Sequence, residues 1–205
     1  MKLIAFVVSL MLTIALIVLL NVQLPVGGNK TPELGAFLSP QHGCWQNAEP
    51  LEANFDGDVK LPSLAGKTVV YFDERLVPHI NADNEHDAYF VQGFLHAKFR
   101  LWQMEFQTHA AAGRLTEILG PKSGSTDLLT VADRYFRRLG MTYAAEKSLA
   151  LSQADPMTRL ATDAYTSGVN AYISSLTESS MPLEYKLLGY KPEPWSNLKT
   201  ALLQL

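Results

Sequence analysis

Apolar positions are densest at the start of the chain: Leu3 to Leu20 runs LIAFVVSLMLTIALIVLL, 18 residues without a charge. At about 1.5 Å per residue this run makes a helix of roughly 27 Å, close to the hydrocarbon core of a bilayer. A helix apolar on every side needs apolar surroundings, and the flanking sequence offers nothing to pack around it. From Val22 to about Ser63 the pattern dissolves into Pro, Gly, Asn and Glu, which predicts a tether followed by irregular packing. Thr68 to Phe72 (TVVYF) and Val77 to Ala82 (VPHINA), divided at Asp73 to Leu76, predict a β-hairpin. Pro78 cannot donate to a ladder, so it belongs at an edge or at the first positions of its strand.

Helical periodicity then takes over. Asn84 or Asp83 can cap a long helix starting near Glu85, with Val91, Leu95, Trp102 and Phe106 on one broad face. Gly113 bends or ends it, Arg114 to Leu119 adds a short turn or two, and Gly120-Pro121 stops the run. The segment 121–126 reads as a turn, since it lacks the G-K-[ST] order of a phosphate loop. Asp127 to Leu151 is predicted as two helical pieces around Gly140. Asp155-Pro156 opens another helix as N-cap and N1, carrying Leu160, Ala164, Val169, Tyr172 and Leu176. Leu183 to Pro194 reads as a turn-rich connection, and Ser196 caps a final apolar run that ends without a stop signal, as expected of a fragment. The fold class is therefore α+β, mainly helical with an N-terminal hairpin. Its expected divisions are a signal peptide or anchor over 1–21, a tether over 22–44, and one region over 45–205.

Composition narrows the partners. Seventeen Lys and Arg against twenty Asp and Glu give −3, with no basic block, which excludes nucleic acid as the expected partner. The apolar N-terminal run either is cleaved as a signal peptide or stays as an anchor; both place the remainder outside, on the periplasmic or outer face of the membrane. Its length, and the lack of an A-x-A site over Asn21 to Asn29, favour an anchor through residues 3–20. The single cysteine, Cys44, excludes an intrachain disulfide and is either a buried small hydrophobe or a free thiol.

Candidate chemistry is sparse. His42 and Cys44 lack further ligands nearby, so Trp45 reads as a packed aromatic with incidental neighbours. His79, His86, His96 and His109 lie 7, 10 and 13 residues apart, which fits no compact metal spacing, and no H-E-x-x-H occurs. Glu85, His86 and Asp87 read as solvated capping charges. Arg134, Arg137 and Arg138 read as a solvated face. No serine carries a local signature of activation.

One set of blocks goes further: Val77-Pro78-His79-Ile80-x-Ala82, Gly93-Phe94-x-His96-Ala97, Arg100-Leu101-Trp102-Gln103-Met104-Glu105, Gly113-Arg114-Leu115-x-Glu117-x-x-Gly120 and Leu188-Gly189-Tyr190-x-Pro192-x-x-Trp195. In order and spacing they closely resemble the opening of the penicillin acylase family, from about Trp45 to the C-terminus. Pro78, His79, Gly93, His96, Arg100, Gln103, Met104, Glu105, Gly113 and Gly120 are the matching motif positions, structural rather than catalytic. The chain departs from the family pattern at Leu76, where a glycine is usual, at Lys98-Phe99 in place of Gln-Asp, and at Thr108-His109 in place of an Arg pair.

The resemblance implies the α-region of an N-terminal-nucleophile (αββα) hydrolase, cut from a precursor and acting on linear amide bonds of N-acyl substrates. It implies a β-chain partner that begins with the catalytic serine, so none of these 205 residues is catalytic. It also implies no cofactor or metal in this chain, with calcium a cofactor of the complete enzyme and its ligand expected beyond Leu205. Trp102, Phe106, Val169 and Tyr172 are then expected to face the β-chain. The alternative is a catalytically empty, membrane-anchored binding or scaffold protein.

Overall fold

The computed structural model describes residues 2–26, 29–48, 57–121 and 127–205. Helix α1 (Lys2–Asn21) carries the apolar run, with no residue of it buried, and is the one helix among the described residues long and apolar enough to cross a membrane. A two-residue ribbon follows, β1 (Pro25–Val26) antiparallel to β2 (Asn29–Lys30). Next come the short helix α2 (Leu34–Phe37) and a 3-10 turn over Cys44–Asn47. The turn expected over 121–126 lies, apart from Pro121, outside the described residues.

The predicted hairpin is β3 (Thr68–Phe72) against β4 (Pro78–Ala82), antiparallel, with Val70 opposite Ile80 and Phe72 opposite Pro78. Alternation puts Val70, Phe72 and Ile80 inward and Val69, Tyr71 and His79 outward. Pro78 stands at the first position of its strand, where its missing N–H costs least. In the turn Leu76 takes φ 59, the left-handed region that glycine favours and a branched side chain resists.

The body is built on helices α3 (Glu85–Ala112) and α7 (Pro156–Ser175). Their backbones approach so closely that a Cβ on Gly93 would lie 2.1 Å from the Tyr165 carbonyl oxygen, and one on Gly168 would lie 1.9 Å from that of Phe90. Ala97, Leu101, Met104 and Val169 form the main core with Tyr185 and Trp195, while Phe90, Val91, Leu95 and Ala164 take the inner face of the hairpin. Trp102, Tyr172 and Val169 pack into this core, and Phe106 lies half-buried against Trp102 with ring centroids 5.7 Å apart. The expectation that these side chains face a partner is corrected for Val169, which the chain itself buries completely, while Trp102, Phe106 and Tyr172 stay partly exposed.

Around this pair sit α4 (Leu115–Leu119), α5 (Leu128–Leu139), α6 (Met141–Ser152), α8 (Leu183–Leu188) and α9 (Asn197–Leu203). Helix α3 ends at Gly113, whose φ of 66 gives the left-handed cap. Arg137 Nε donates to the Gly113 carbonyl at 2.7 Å. Helix α4 has no side-chain cap of its own; the buried Asp133 carboxylate of α5 accepts from Leu115 N, Thr116 N and Thr116 Oγ1 instead. Helix α8, starting after Pro182, occupies part of the stretch read as a turn-rich connection.

Candidate functional site

Part of the motif set, Pro78, His96, Arg100 and Gln103, lies near one defect in α3, whereas Gly113 and Gly120 cap the ends of α3 and α4. Arg100 adopts φ −142 and ψ 16 in mid-helix, which breaks the backbone ladder and kinks the rod. Before the kink, His96 stands beside Tyr165, with Nδ1 3.0 Å from its hydroxyl, and partial burial lowers the imidazole pKa. At the kink, Arg100 and Gln103 point outward and bond to each other at 3.3 Å. A cleft between the hairpin turn and α3 is lined by Leu76, Pro78, His96, Phe99 and Arg100, so motif residues distant in sequence share one wall. Arg100 and Gln103 also border a second cleft with Trp102, Pro182 and Glu184. His79 turns away from both and stacks on Tyr71 at 4.7 Å.

Past the kink the helix turns its chemistry inward. Met104 and Glu105 are buried, and Glu105 is 1% exposed. The Tyr185 hydroxyl donates to Glu105 Oε2, and the Glu193 backbone N–H donates to Oε1 at 2.9 Å. Lys199 Nζ lies 3.8 Å from that same oxygen and 3.1 Å from Glu193 Oε2, and it also approaches the Trp195 ring at 5.7 Å. His109, one turn on from Glu105, bonds its carbonyl through Nδ1 at 2.9 Å, which puts the ring proton on Nδ1. Its Nε2 faces Glu193 Oε1 at 3.8 Å. Arg114 closes the knot by pairing with Glu193 at 2.7 Å and with Glu117 at 2.7 Å.

The Lys199 ammonium is held in this knot by its ionic contacts, without a hydrogen bond among the described residues. Hydrogen bonding from Arg114, against the opposing effect of partial burial, pulls the Glu193 carboxyl down to about 2. Burial, followed by the bond to the Glu105 carboxylate, drives the Tyr185 phenol far above its ordinary value. The result joins α3, α8, the 189–196 loop and α9: the Glu105 contacts lie in the interior, where electrostatic attraction is stronger, while the Arg114–Glu193 pair is partly exposed.

The carboxylates of Glu105 and Glu193 with His109 offer three ligand atoms within 4.8 Å of one another. Calcium wants six to eight oxygen ligands. Here the carboxylates already serve Tyr185, a backbone N–H and Arg114, and the Lys199 ammonium stands where a cation would. The donor set does not fit calcium. Nor does the knot hold a nucleophile beside a base open to a cleft; its geometry is that of a structural clamp.

A second buried acid lies at the other end of α3. Asp87 is fully buried and accepts from Ala65 N, Gly66 N at 2.7 Å, Asn84 Nδ2 and, through the shared contact at 2.9 Å, His86 Nδ1. Burial pushes its pKa up, but the bonds from His86, Ala65, Gly66 and Asn84 outweigh burial and hold it well below the usual carboxylate range. The reading of Asp87 as a solvated capping charge is thus corrected. The expectation that Trp45 packs in the interior is corrected as well, because it is 60% exposed. Sequence reasoning missed Tyr185, Glu193 and Lys199, since their partners on α3 lie 80 to 88 residues or more away and no local spacing links them.

A hairpin laid on a kinked helix, that helix packed closely on a second long one and tied by a buried charge knot to α8 and α9, is the architecture of the α-region of an N-terminal-nucleophile hydrolase fold. The chain belongs to the penicillin amidase family, whose profile matches residues 67–205. It is similar to the penicillin acylase 2 proenzyme of Pseudomonas sp. (strain SE83), at 39% identity over 139 residues, covering 68% of this chain and 17% of that protein. The acyl-homoserine lactone acylase QuiP of Pseudomonas aeruginosa is 34% identical over 127 residues, covering 62% and 14%. Among solved structures, a thermostable penicillin G acylase from Alcaligenes faecalis superposes with a TM-score of 0.60 at 25% identity, covering 68% of this chain and 71% of that one. The chain thus spans less than a fifth of these two curated relatives.

Proposed function

We propose that this chain is the N-terminal α-region of an exported acylase that hydrolyses the linear amide bond of N-acyl substrates, held at the membrane by α1. The catalytic serine belongs to a β-chain. The observation that carries the reading is the disparity in coverage. The homologous stretch is 17% of a proenzyme but 71% of one chain of a solved acylase, as expected where a short α-chain is separate from the catalytic one. An N-terminal serine can use its own α-amine, with a pKa of about 7.7–8.0 in peptides, as the base that activates Oγ.

Helix α5 supports a further chain on this body. Its apolar arc is wider than what the described residues cover: Leu129 and Phe136 turn inward, whereas Leu128, Val131, Tyr135 and Leu139 form an exposed stripe at helical spacing. A patch of this kind marks an interface rather than ordinary surface. The β-chain is the occupant this reading assigns to it. The first test is direct: the full 205-residue chain, purified in detergent, releases no chromophore from a phenylacetyl nitroanilide, and turnover by this chain would contradict the assignment.

A further inference from the structure

We infer that the segment following α1 is a lipid-contacting collar, in which Leu34, Leu38 and Trp45 seat the body against the phospholipid interface. The inference rests on the reading of α1 as an anchor. With 20 residues at about 1.5 Å each, α1 is roughly 30 Å long, equal to the hydrocarbon thickness, so Asn21 falls at the boundary of core and headgroups. Whatever touches Asn21 lies at headgroup depth.

Helix α2 touches it. A Cβ on Gly35 would lie 2.7 Å from Asn21 Oδ1, so the α2 backbone rests on the last turn of α1. Leu24 and Thr31 extend the β1–β2 pairing by one step with bonds of 2.9 Å. Leu34 and Leu38 flank Gly35 and remain exposed, and the Trp45 indole donates to the Leu38 carbonyl at 3.1 Å. The segment is also fixed to the body. Lys186 Nζ donates to Gly43 O at 3.0 Å and Asn47 Oδ1 at 2.7 Å, while Asn47 Nδ2 donates to Met181 O at 2.8 Å. The collar therefore cannot swing away from the bilayer without taking α8 with it.

Two features favour lipid over the β-chain as the occupant. The α2 part of the collar precedes both the residues matched by the family profile, which begins at 67, and Trp45, where the family likeness starts, and it is continuous with the apolar helix. Its composition also suits the interface, with an exposed tryptophan and leucines and few charges between Lys30 and Ala48.

The test uses the full chain in phosphatidylcholine–phosphatidylglycerol vesicles and reads the Trp45 signal as the difference between wild type and Trp45→Phe. That substitution spares the core because Trp45 is 60% exposed. Acyl chains brominated near the headgroup are expected to reduce the Trp45 signal by about half, with aqueous iodide quenching it little. Full iodide quenching with no effect of brominated lipid overturns the collar. Alkaline carbonate extraction and intact mass separate this failure from failure of the anchor. A chain retained with residues 1–21 intact but with iodide-accessible Trp45 leaves the anchor standing and removes the collar. Release by carbonate, or loss of the N-terminal residues, removes both.

Discussion

Replacing Glu105 by glutamine keeps the shape of the side chain and deletes the charge at the centre of the knot. Glu105 accepts from the Tyr185 hydroxyl and from Glu193 N, and it faces Lys199 at 3.8 Å from a position only 1% exposed. A bond to a charged acceptor contributes about 1.5–3 kcal/mol against roughly 0.5–1.5 for a neutral one, so each of these two bonds weakens by about 1 kcal/mol. Losing one of the two carboxylates around Lys199 adds about 1 kcal/mol, since Glu193 still pairs with it at 3.1 Å. The expected loss is about 3 kcal/mol, a large share of a net stability of roughly 5–15.

Urea unfolding of the full chain in detergent, followed by tryptophan fluorescence, reads this loss. Trp102 contacts Tyr185 at 5.4 Å and Trp195 contacts Lys199, so both report on the knot. Adding Lys199→Met to Glu105→Gln removes the cation that was left under-compensated, and the double variant should recover about 1 kcal/mol relative to additivity. A Glu105→Gln loss below about 1 kcal/mol, together with strict additivity, would refute the view that a buried charge pair clamps α3 to α9.

Acid should loosen the same knot. Glu193 has a folded pKa of about 2 against an ordinary 4.5, so its contribution is fully present above pH 4.5 and is lost as pH falls toward 2. The urea midpoint should fall over that window, and Glu193→Gln should flatten the fall; an unchanged slope would contradict the pairing. Leu76 offers a backbone test: at φ 59, Leu76→Gly should be more stable than Leu76→Ala by about 1 kcal/mol, the reverse of their order at ordinary positions. Equal thermal midpoints for the two variants would show that the turn holds no such strain.

What the sequence reveals of this molecule is whatever is encoded locally. Asn84, Asp155 and Ser196 each accept a bond from the backbone of the first helical turn, as their residue types predict, and Gly140 divides α5 from α6 in the left-handed conformation. The hairpin is equally legible, because alternation and an intervening turn are contiguous signals. Helix α8 was not, since six residues after a proline carry too little periodicity to register. The kink at Arg100 leaves no Pro or Gly to betray it. The Glu105 knot is hidden for another reason: a carboxylate, a phenol and an ammonium meet only after α3, α8 and α9 have packed. Helical spacing likewise marks Trp102 and Tyr172 as apolar positions without indicating that Tyr185 of α8 meets the first and Phe94 of α3 the second.

The central claim is that this chain works as the α-region of a two-chain acylase. It is tested most directly by affinity isolation of the chain from membranes of its own host, with N-terminal sequencing of any polypeptide held at one-to-one stoichiometry. The account predicts a larger partner whose first residue is serine, and hydrolysis of an N-acyl anilide by the isolated pair. Isolation of the 205-residue chain alone, from membranes in which that hydrolysis persists elsewhere, would contradict it.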